Sequence, residues 1–257
     1  MENHPGLHWR EYLTEVGALA TFMVSAATMT VLIEHPSSPL RPLLPDPTTR
    51  RMLTGTAMGL TAAAIIYSPW GRRSGAHMNP AVTLTFFRLG KISRQDASAY
   101  VAAQFAGGVL GIALAALALR PWIGSPTVNY VVTTPGAFGY GAAFAAEAVI
   151  SFVLMLVVLA VSNARRLAPL TGAIVAVLVA TFITVEAPLS GMSMNPARTL
   201  GPDIVGGMWR GLWIYFVAPP LGMFAAAELF VRVKGRLSVR CAKLHHDEGP
   251  CIFNCSY

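Results

Sequence analysis

Charge is scarce in this sequence. Only 12% of its 257 residues are Asp, Glu, Lys or Arg, about half the ~25% of an ordinary soluble domain. With 54% of residues hydrophobic and a mean hydropathy of +0.54, a water-soluble globule is excluded, since nothing resembles an amphipathic helix with one wet face. Cysteine is scarce too: three residues, Cys241, Cys251 and Cys255, all near the end, give no disulfide framework. No nucleophile and base stand together on the apolar stretches, which argues against an intramembrane enzyme. Acidic residues number 12 against 19 basic ones, a net charge of +7. The basic residues are scattered over connections instead of being gathered on one face, so a nucleic-acid surface is excluded as well.

What the sequence has in quantity is apolar runs of membrane-spanning length. They cover Leu13 to Ile33, Met52 to Trp70, Ala97 to Leu119, Gly139 to Val161, Leu170 to Val185 and Gly211 to Val231, predicting six transmembrane helices. The first is no signal peptide with a cleavage site at Ala26 and Ala27: no basic segment precedes it, and it has a counterpart in the second half. With six spans both termini share a side. That side carries 13 of the Lys and Arg residues and the opposite side six, so the positive-inside rule predicts cytoplasmic termini.

A repeat organises the runs. Ser74 to Leu84 reads SGAHMNPAVTL and Ser190 to Leu200 reads SGMSMNPARTL, identical at eight of eleven positions, with Asn79 and Asn195 separated by 116. In each, Asn caps a helix and Pro occupies its first turn, where the amide it lacks would have no intrahelical partner. The segments Asn79 to about Leu89 and Asn195 to about Val205 are each long enough for roughly 16 Å of helix, half the hydrocarbon thickness. They follow the second and the fifth span and so enter from opposite faces. Two half-helices meeting at mid-membrane, one in each half of an inverted three-helix repeat, require a cavity for their irregular backbone. Glu15 and Glu147 are lone carboxyls at matching places in the first helix of each half. Their offset is 132, the extra residues being taken up by the long link from Glu34 to Arg51. Gln104 and Pro219, 115 apart, show the register returning.

These residues, Asn79-Pro80-Ala81, Asn195-Pro196-Ala197-Arg198, the preceding Ser-Gly and a glutamate in the first helix of each half, resemble the major intrinsic protein family, the aquaporins and glycerol facilitators. The resemblance covers roughly Tyr12 to Val233. It implies an all-α, aquaporin-like membrane fold of six transmembrane helices plus two re-entrant half-helices. It also implies a homotetramer of independent pores that passes water or small uncharged solutes without a cofactor. The expected organisation is a cytoplasmic N-terminus over residues 1–11, a channel domain over 12–233 with halves at about 12–119 and 139–233, and a cytoplasmic tail over 234–257, in a plasma or inner membrane.

Physics supports such a pore independently. Two helix N-termini facing each other at low dielectric repel cations and hydronium, while the Asn79 and Asn195 amides donate hydrogen bonds to a passing oxygen and interrupt a proton relay. Arg198, in the first turn of the second half-helix, is costly in a membrane unless it faces water or a partner. The resemblance makes it one of four selectivity-filter residues, with Met192, Ile183 and, from the second span, Met58 in preference to Gly59. Ile183 and Met58 depart from the histidine and aromatic of strict water channels. Thr199, standing where glycerol facilitators place aspartate, and Tyr215 with Phe216 favour the water-channel side.

Other residues carry two readings. Glu15 and Glu147 are either a proton relay of a coupled transporter or, by the resemblance, acceptors that hold the loops carrying the half-helices. Glu186 is expected to tie down the loop after the fifth span. His77 either lines the cytoplasmic approach and senses pH or packs against its loop. The pairs Gly55/Gly59, Gly107/Gly111 and Gly222/Ala226 have the spacing of close helix crossings. In the tail, Cys241, His245, His246, Cys251 and Cys255 offer enough thiolate and imidazole groups to hold a zinc ion but match no strong metal-binding spacing, so no metal is assigned and free thiols are the simpler reading in a reducing cytoplasm. The favoured function is a passive channel for water, glycerol or other small neutral solutes that excludes protons and ions. The alternatives are a proton-coupled transporter and a structural membrane protein with a vestigial pore.

Overall fold

A computed structural model describes residues 6–246 and 251–256. Among them ten α-helices and a few short 3-10 turns occur, with no strand: α1 (Trp9–Glu34), α2 (Pro47–Tyr67), α3 (Pro69–Ser74), α4 (Pro80–Arg88), α5 (Arg94–Ala118), α6 (Gly139–Ser162), α7 (Thr171–Val185), α8 (Ala187–Ser190), α9 (Pro196–Gly206) and α10 (Leu212–Lys234).

Five of the long helices have the length and apolarity to cross a membrane. The sixth, α2, is 21 residues long but starts with threonines and two arginines, which dilute its hydropathy. Its bounds differ from the predicted span. It starts five residues earlier, where the Asp46 carboxylate accepts a hydrogen bond from the Thr49 amide at 2.6 Å and Pro47 fills the first turn. It ends at Tyr67 because Ser68 precedes a proline and is extended, with ψ 156°. Ser68 then caps α3, and Trp70 belongs to that helix. Large apolar side chains such as Leu13, Leu60, Leu117, Val149, Val177 and Leu221 are exposed along the long helices, as helices facing lipid require.

The packing repeats itself. The chief helix pairs are α1 with α5 and, in the second half, α6 with α10, while α2 packs against α7 across the two halves. Likewise α9 docks on α5 and α4 on α10, and the two half-helices touch each other. Close crossings fall at the predicted small residues. A Cβ on Gly107 would meet the Val16 carbonyl oxygen at 2.5 Å, and one on Gly111 the Ala20 carbonyl oxygen at 2.5 Å. Gly55 and Gly59 face Ala180 and Ala176 in the same way, and Gly222 faces Ala148.

The loops before the half-helices repeat in finer detail. After α3, Gly75, Ala76 and Met78 take positive φ; after α8, Gly191, Met192 and Met194 do the same. Three left-handed residues in four are costly for anything but glycine, so each loop needs strong external restraint. The tail after α10 does not hang free. Its Arg240 amide donates to Asn163 Oδ1 at 2.6 Å and its Leu244 amide to the Gly75 carbonyl at 3.2 Å, so it packs on the face that carries the termini.

Candidate functional site

Restraint of the two strained loops comes from the two buried glutamates. Glu15 Oε1 accepts from Ser74 Oγ at 2.8 Å and the His77 amide at 3.1 Å, and Oε2 from the Met78 amide at 2.7 Å and Gln104 Nε2 at 2.8 Å. Glu147 Oε1 accepts from Ser190 Oγ at 2.6 Å and the Ser193 amide at 2.7 Å, and Oε2 from the Met194 amide at 2.7 Å. Both carboxyls are wholly buried. Each satisfies backbone donors that the irregular loop cannot satisfy itself, which is how non-helical backbone is tolerated at membrane depth. Two tyrosines 115 residues apart, Tyr100 and Tyr215, brace the same loops by donating to the carbonyls of Ser74 and Ser190. Tyr100 was not singled out from sequence, although the 115-residue offset it shares with Gln104 and Pro219 marks it.

Held in this way, the loops bring the half-helix tips together. Asn79 is extended at φ −154° and its Oδ1 accepts from the Ala81 amide at 2.9 Å. Asn195, at φ −150°, accepts from the amides of Ala197 at 3.0 Å and Arg198 at 3.2 Å. Each amide nitrogen also reaches across the repeat. Asn79 Nδ2 donates to the Met194 carbonyl at 2.7 Å, and Asn195 Nδ2 to the Met78 carbonyl at 2.7 Å. A side-chain amide carries two N–H donors, so one on each asparagine is left over, with no further protein acceptor among the described residues.

Both asparagines border one cavity of about 120 Å³, room for several waters. Near the loop end of α7 it is lined by Ile183, Met192 and Arg198 and by Met58 of α2; at the other end it reaches His77 and Leu244 of the tail. Gly59 instead faces Ala176. Arg198 Nη1 has no protein hydrogen-bond partner among the described residues. Apolar groups make up most of the rest of the wall, including Phe22, Val82 and Val179. Both half-helices point their N-termini, the positive ends of their dipoles, at the middle of this cavity.

His77 is 3% exposed. Its Nε2 lies 2.8 Å from the Ala242 carbonyl and its Nδ1 3.0 Å from Thr83 Oγ1. A carbonyl only accepts, so the proton sits on Nε2, and Nδ1 accepts from the threonine. The ring is stacked between Phe86 and Phe253 at centroid distances of 5.2 Å and 5.5 Å. It borders the cavity and is also packed, by the tail as much as by its own loop. Ser193, its counterpart 116 residues on, makes the analogous bond to Thr199 Oγ1 at 2.6 Å.

One expectation is corrected. The Glu186 carboxylate makes no hydrogen bond of normal geometry among the described residues; Ser190 still bears on it but gives its one hydroxyl proton to Glu147 at 2.6 Å, so the loop is held by Glu147. Phe216 faces away from the cavity and stacks on Phe105 at 5.8 Å.

The sequence profile described as Major intrinsic protein matches residues 4–230. The chain belongs to this family. Similar curated proteins include one described as "Probable aquaporin NIP4-2" from Arabidopsis thaliana, 39% identical over 173 residues, which are 67% of this chain and 59% of that protein. Another is "Probable aquaporin AqpM" from Archaeoglobus fulgidus, 38% identical over 185 residues, 68% of this chain and 74% of that protein. The chain thus spans about six-tenths of the length of the plant relatives it matches. Among solved structures, the aquaglyceroporin from Plasmodium falciparum superposes with a TM-score of 0.75 over 90% of this chain and 99% of that one, at 20% identity, a likeness of fold.

Proposed function

We propose that this member of the family is a passive membrane pore for water, admitting small neutral solutes such as glycerol and excluding ions and protons. The observation that carries the reading is the pair of asparagine amides at opposed helix tips, each with one N–H committed across the repeat and one left for the cavity between them. A water oxygen passing the tips accepts from these donors and is turned so that its own hydrogens point away from the midpoint. The file of waters is then broken as a proton wire, and the opposed dipoles repel any cation.

In this reading Arg198 supplies donors to the passing solute at the outer constriction, while Met58, Ile183 and Met192 give it an apolar wall and set its bore. Flexible methionines suit a constriction that adapts to solutes of different size. A proton-coupled transporter is less well supported, because Glu15 and Glu147 are taken up by loop amides and border no part of the cavity. The excess of basic residues on the termini side supports cytoplasmic termini in a plasma or inner membrane. Family habit supports a homotetramer of separate pores.

Stopped-flow light scattering on proteoliposomes tests this directly. A sucrose gradient should produce water efflux well above that of empty vesicles, a glycerol gradient a slower re-swelling phase, and an internal pH dye no leak. Water flux at the lipid background, or flux that requires a pH gradient, would overturn the reading.

A further inference from the structure

The tail that closes on His77 holds a group of side chains with no part in the pore. Cys241 Sγ, Cys251 Sγ, Cys255 Sγ and a ring nitrogen of His246 all lie within 4.8 Å of one another. Cys241 and Cys251 Sγ are 3.5 Å apart, and His246 Nε2 is 3.0 Å from Cys255 Sγ. A tetrahedral zinc ion with bonds of about 2.3 Å to sulfur and 2.0 Å to nitrogen needs ligand atoms roughly 3.5 to 3.8 Å apart. The observed separations, from 3.0 Å to at most 4.8 Å, bracket that range, so closing the widest pairs by about an ångström completes a tetrahedron. Three thiolates with one imidazole are a soft donor set that selects zinc over magnesium or calcium.

Charge fits as well. Binding Zn²⁺ releases one proton from each of the three thiols, and three thiolates with a neutral imidazole leave the centre at −1. Lys243, 2% exposed, bears on Cys251 electrostatically and offsets that charge.

We propose that Cys241, His246, Cys251 and Cys255 bind a structural zinc ion, which clips the two arms of the tail together over the pore mouth on the termini side. The arms meet the pore through specific contacts. From the first, the Ala242 carbonyl accepts from His77 and the Leu244 side chain forms part of the cavity wall. From the second, Phe253 stacks on His77 and the Asn254 amide donates to the Lys91 carbonyl at 2.9 Å. The cluster joins these arms near the residue just two positions before Asn79. Zinc therefore holds Leu244 and Phe253 in place, and its loss frees the mouth. This second half of the proposal rests on the pore reading; the metal site does not.

The test starts with metal content. Full-length protein purified in detergent with reductant should carry about one zinc per chain by plasma mass spectrometry, and the Cys251→Ser/Cys255→Ser double variant almost none. Cobalt exchanged into the wild type should show the absorption of a tetrahedral thiolate complex, and the single Cys255→Ser variant a weakened one. All three thiols should resist alkylation until a strong zinc chelator is added. Absence of zinc after loading with the ion, equal zinc in wild type and double variant, or an intact mass lowered by one disulfide would each overturn the site. In proteoliposomes the chelator should raise water permeability roughly twofold by clearing the constricted mouth. Unchanged flux from zinc-loaded and zinc-free protein would overturn the clip. Lipid-background flux in both states, with zinc content intact, would instead sink the pore reading and leave the metal site standing.

Discussion

The two halves of this protein hold their half-helices with the same device and then finish the two mouths differently. In both, one buried carboxylate gathers the serine and the amides of a left-handed loop, a tyrosine braces the loop carbonyl, and an asparagine caps the half-helix while reaching across to the other half. Where the first half has His77 and Val82, however, the second has Ser193 and Arg198. The first mouth is apolar and covered by the tail. The second presents an arginine with a spare nitrogen. The two halves thus share what builds the cavity and differ in the residues that line its two ends.

If the clamps are equivalent, breaking either should be equally damaging, and this is the largest effect expected. Glu15→Gln and Glu147→Gln each put an NH2 group against backbone donors and leave some of them unpaired in a dry site, at ~1–3 kcal/mol per orphan. The detergent-solubilised variants should melt well below wild type by intrinsic fluorescence, or fail to accumulate, in both cases. A mild effect at one position alone would show that the symmetry is only geometric.

Next in size is a substitution that makes the halves alike where their packing differs. Gly111 in α5 corresponds to Ala226 in α10, 115 residues on. A Cβ at Gly111 would sit 2.5 Å from the Ala20 carbonyl and 2.8 Å from Met23 Cβ, so α1 must shift. Gly111→Ala should cost ~1–3 kcal/mol from overpacking, seen as a lower melting temperature. Stability equal to wild type would mean that the α1–α5 crossing has slack that its backbone contacts do not suggest.

Arg198→Val gives the second mouth the residue of the first. Removing the guanidinium widens and dehydrates the constriction, and glycerol re-swelling rates should rise roughly tenfold with water flux retained. Rates unchanged for both solutes would mean that Arg198 does not border the limiting section.

Much of this was legible in the sequence because the signals are local. Asn-Pro at positions 79 and 195 specifies a capped helix start whatever surrounds it, and apolar runs of fixed length leave few ways to cross a bilayer. The end of α2 was misplaced because Ser68-Pro69 interrupts an apolar run without changing its hydropathy, although the proline rule marks it. Glu186 misled because a carboxyl beside a loop looks like an anchor; only the structure shows Ser190 already engaged. The cysteine and histidine residues of the tail stand out in the sequence, but which of them come together does not, for a different reason. Cys241 and Cys255 meet only because the tail folds back onto the loop after α3, and that return is set by contacts with Gly75, His77 and Lys91, which no ligand spacing encodes.

The finest test of the comparison uses the tyrosines. Tyr100→Phe and Tyr215→Phe each delete one hydroxyl that donates to a serine carbonyl, with the ring left to pack as before. Losing such a bond, with its carbonyl partner stranded in the interior, costs ~1 kcal/mol. The two losses should match if the loops bear equal strain. They should diverge if the tail shares the load, since Tyr100 also lies against Phe253 at 6.0 Å and against His77 at 5.4 Å, whereas the second loop meets the connection at residues 133–136 and, among the described residues, no part of the tail. A smaller loss for Tyr100→Phe that grows to match Tyr215→Phe once Phe253 is replaced by alanine would show the tail acting as a second brace on the first loop only. Equal losses in every background would show that the carboxylate clamps alone carry the strain.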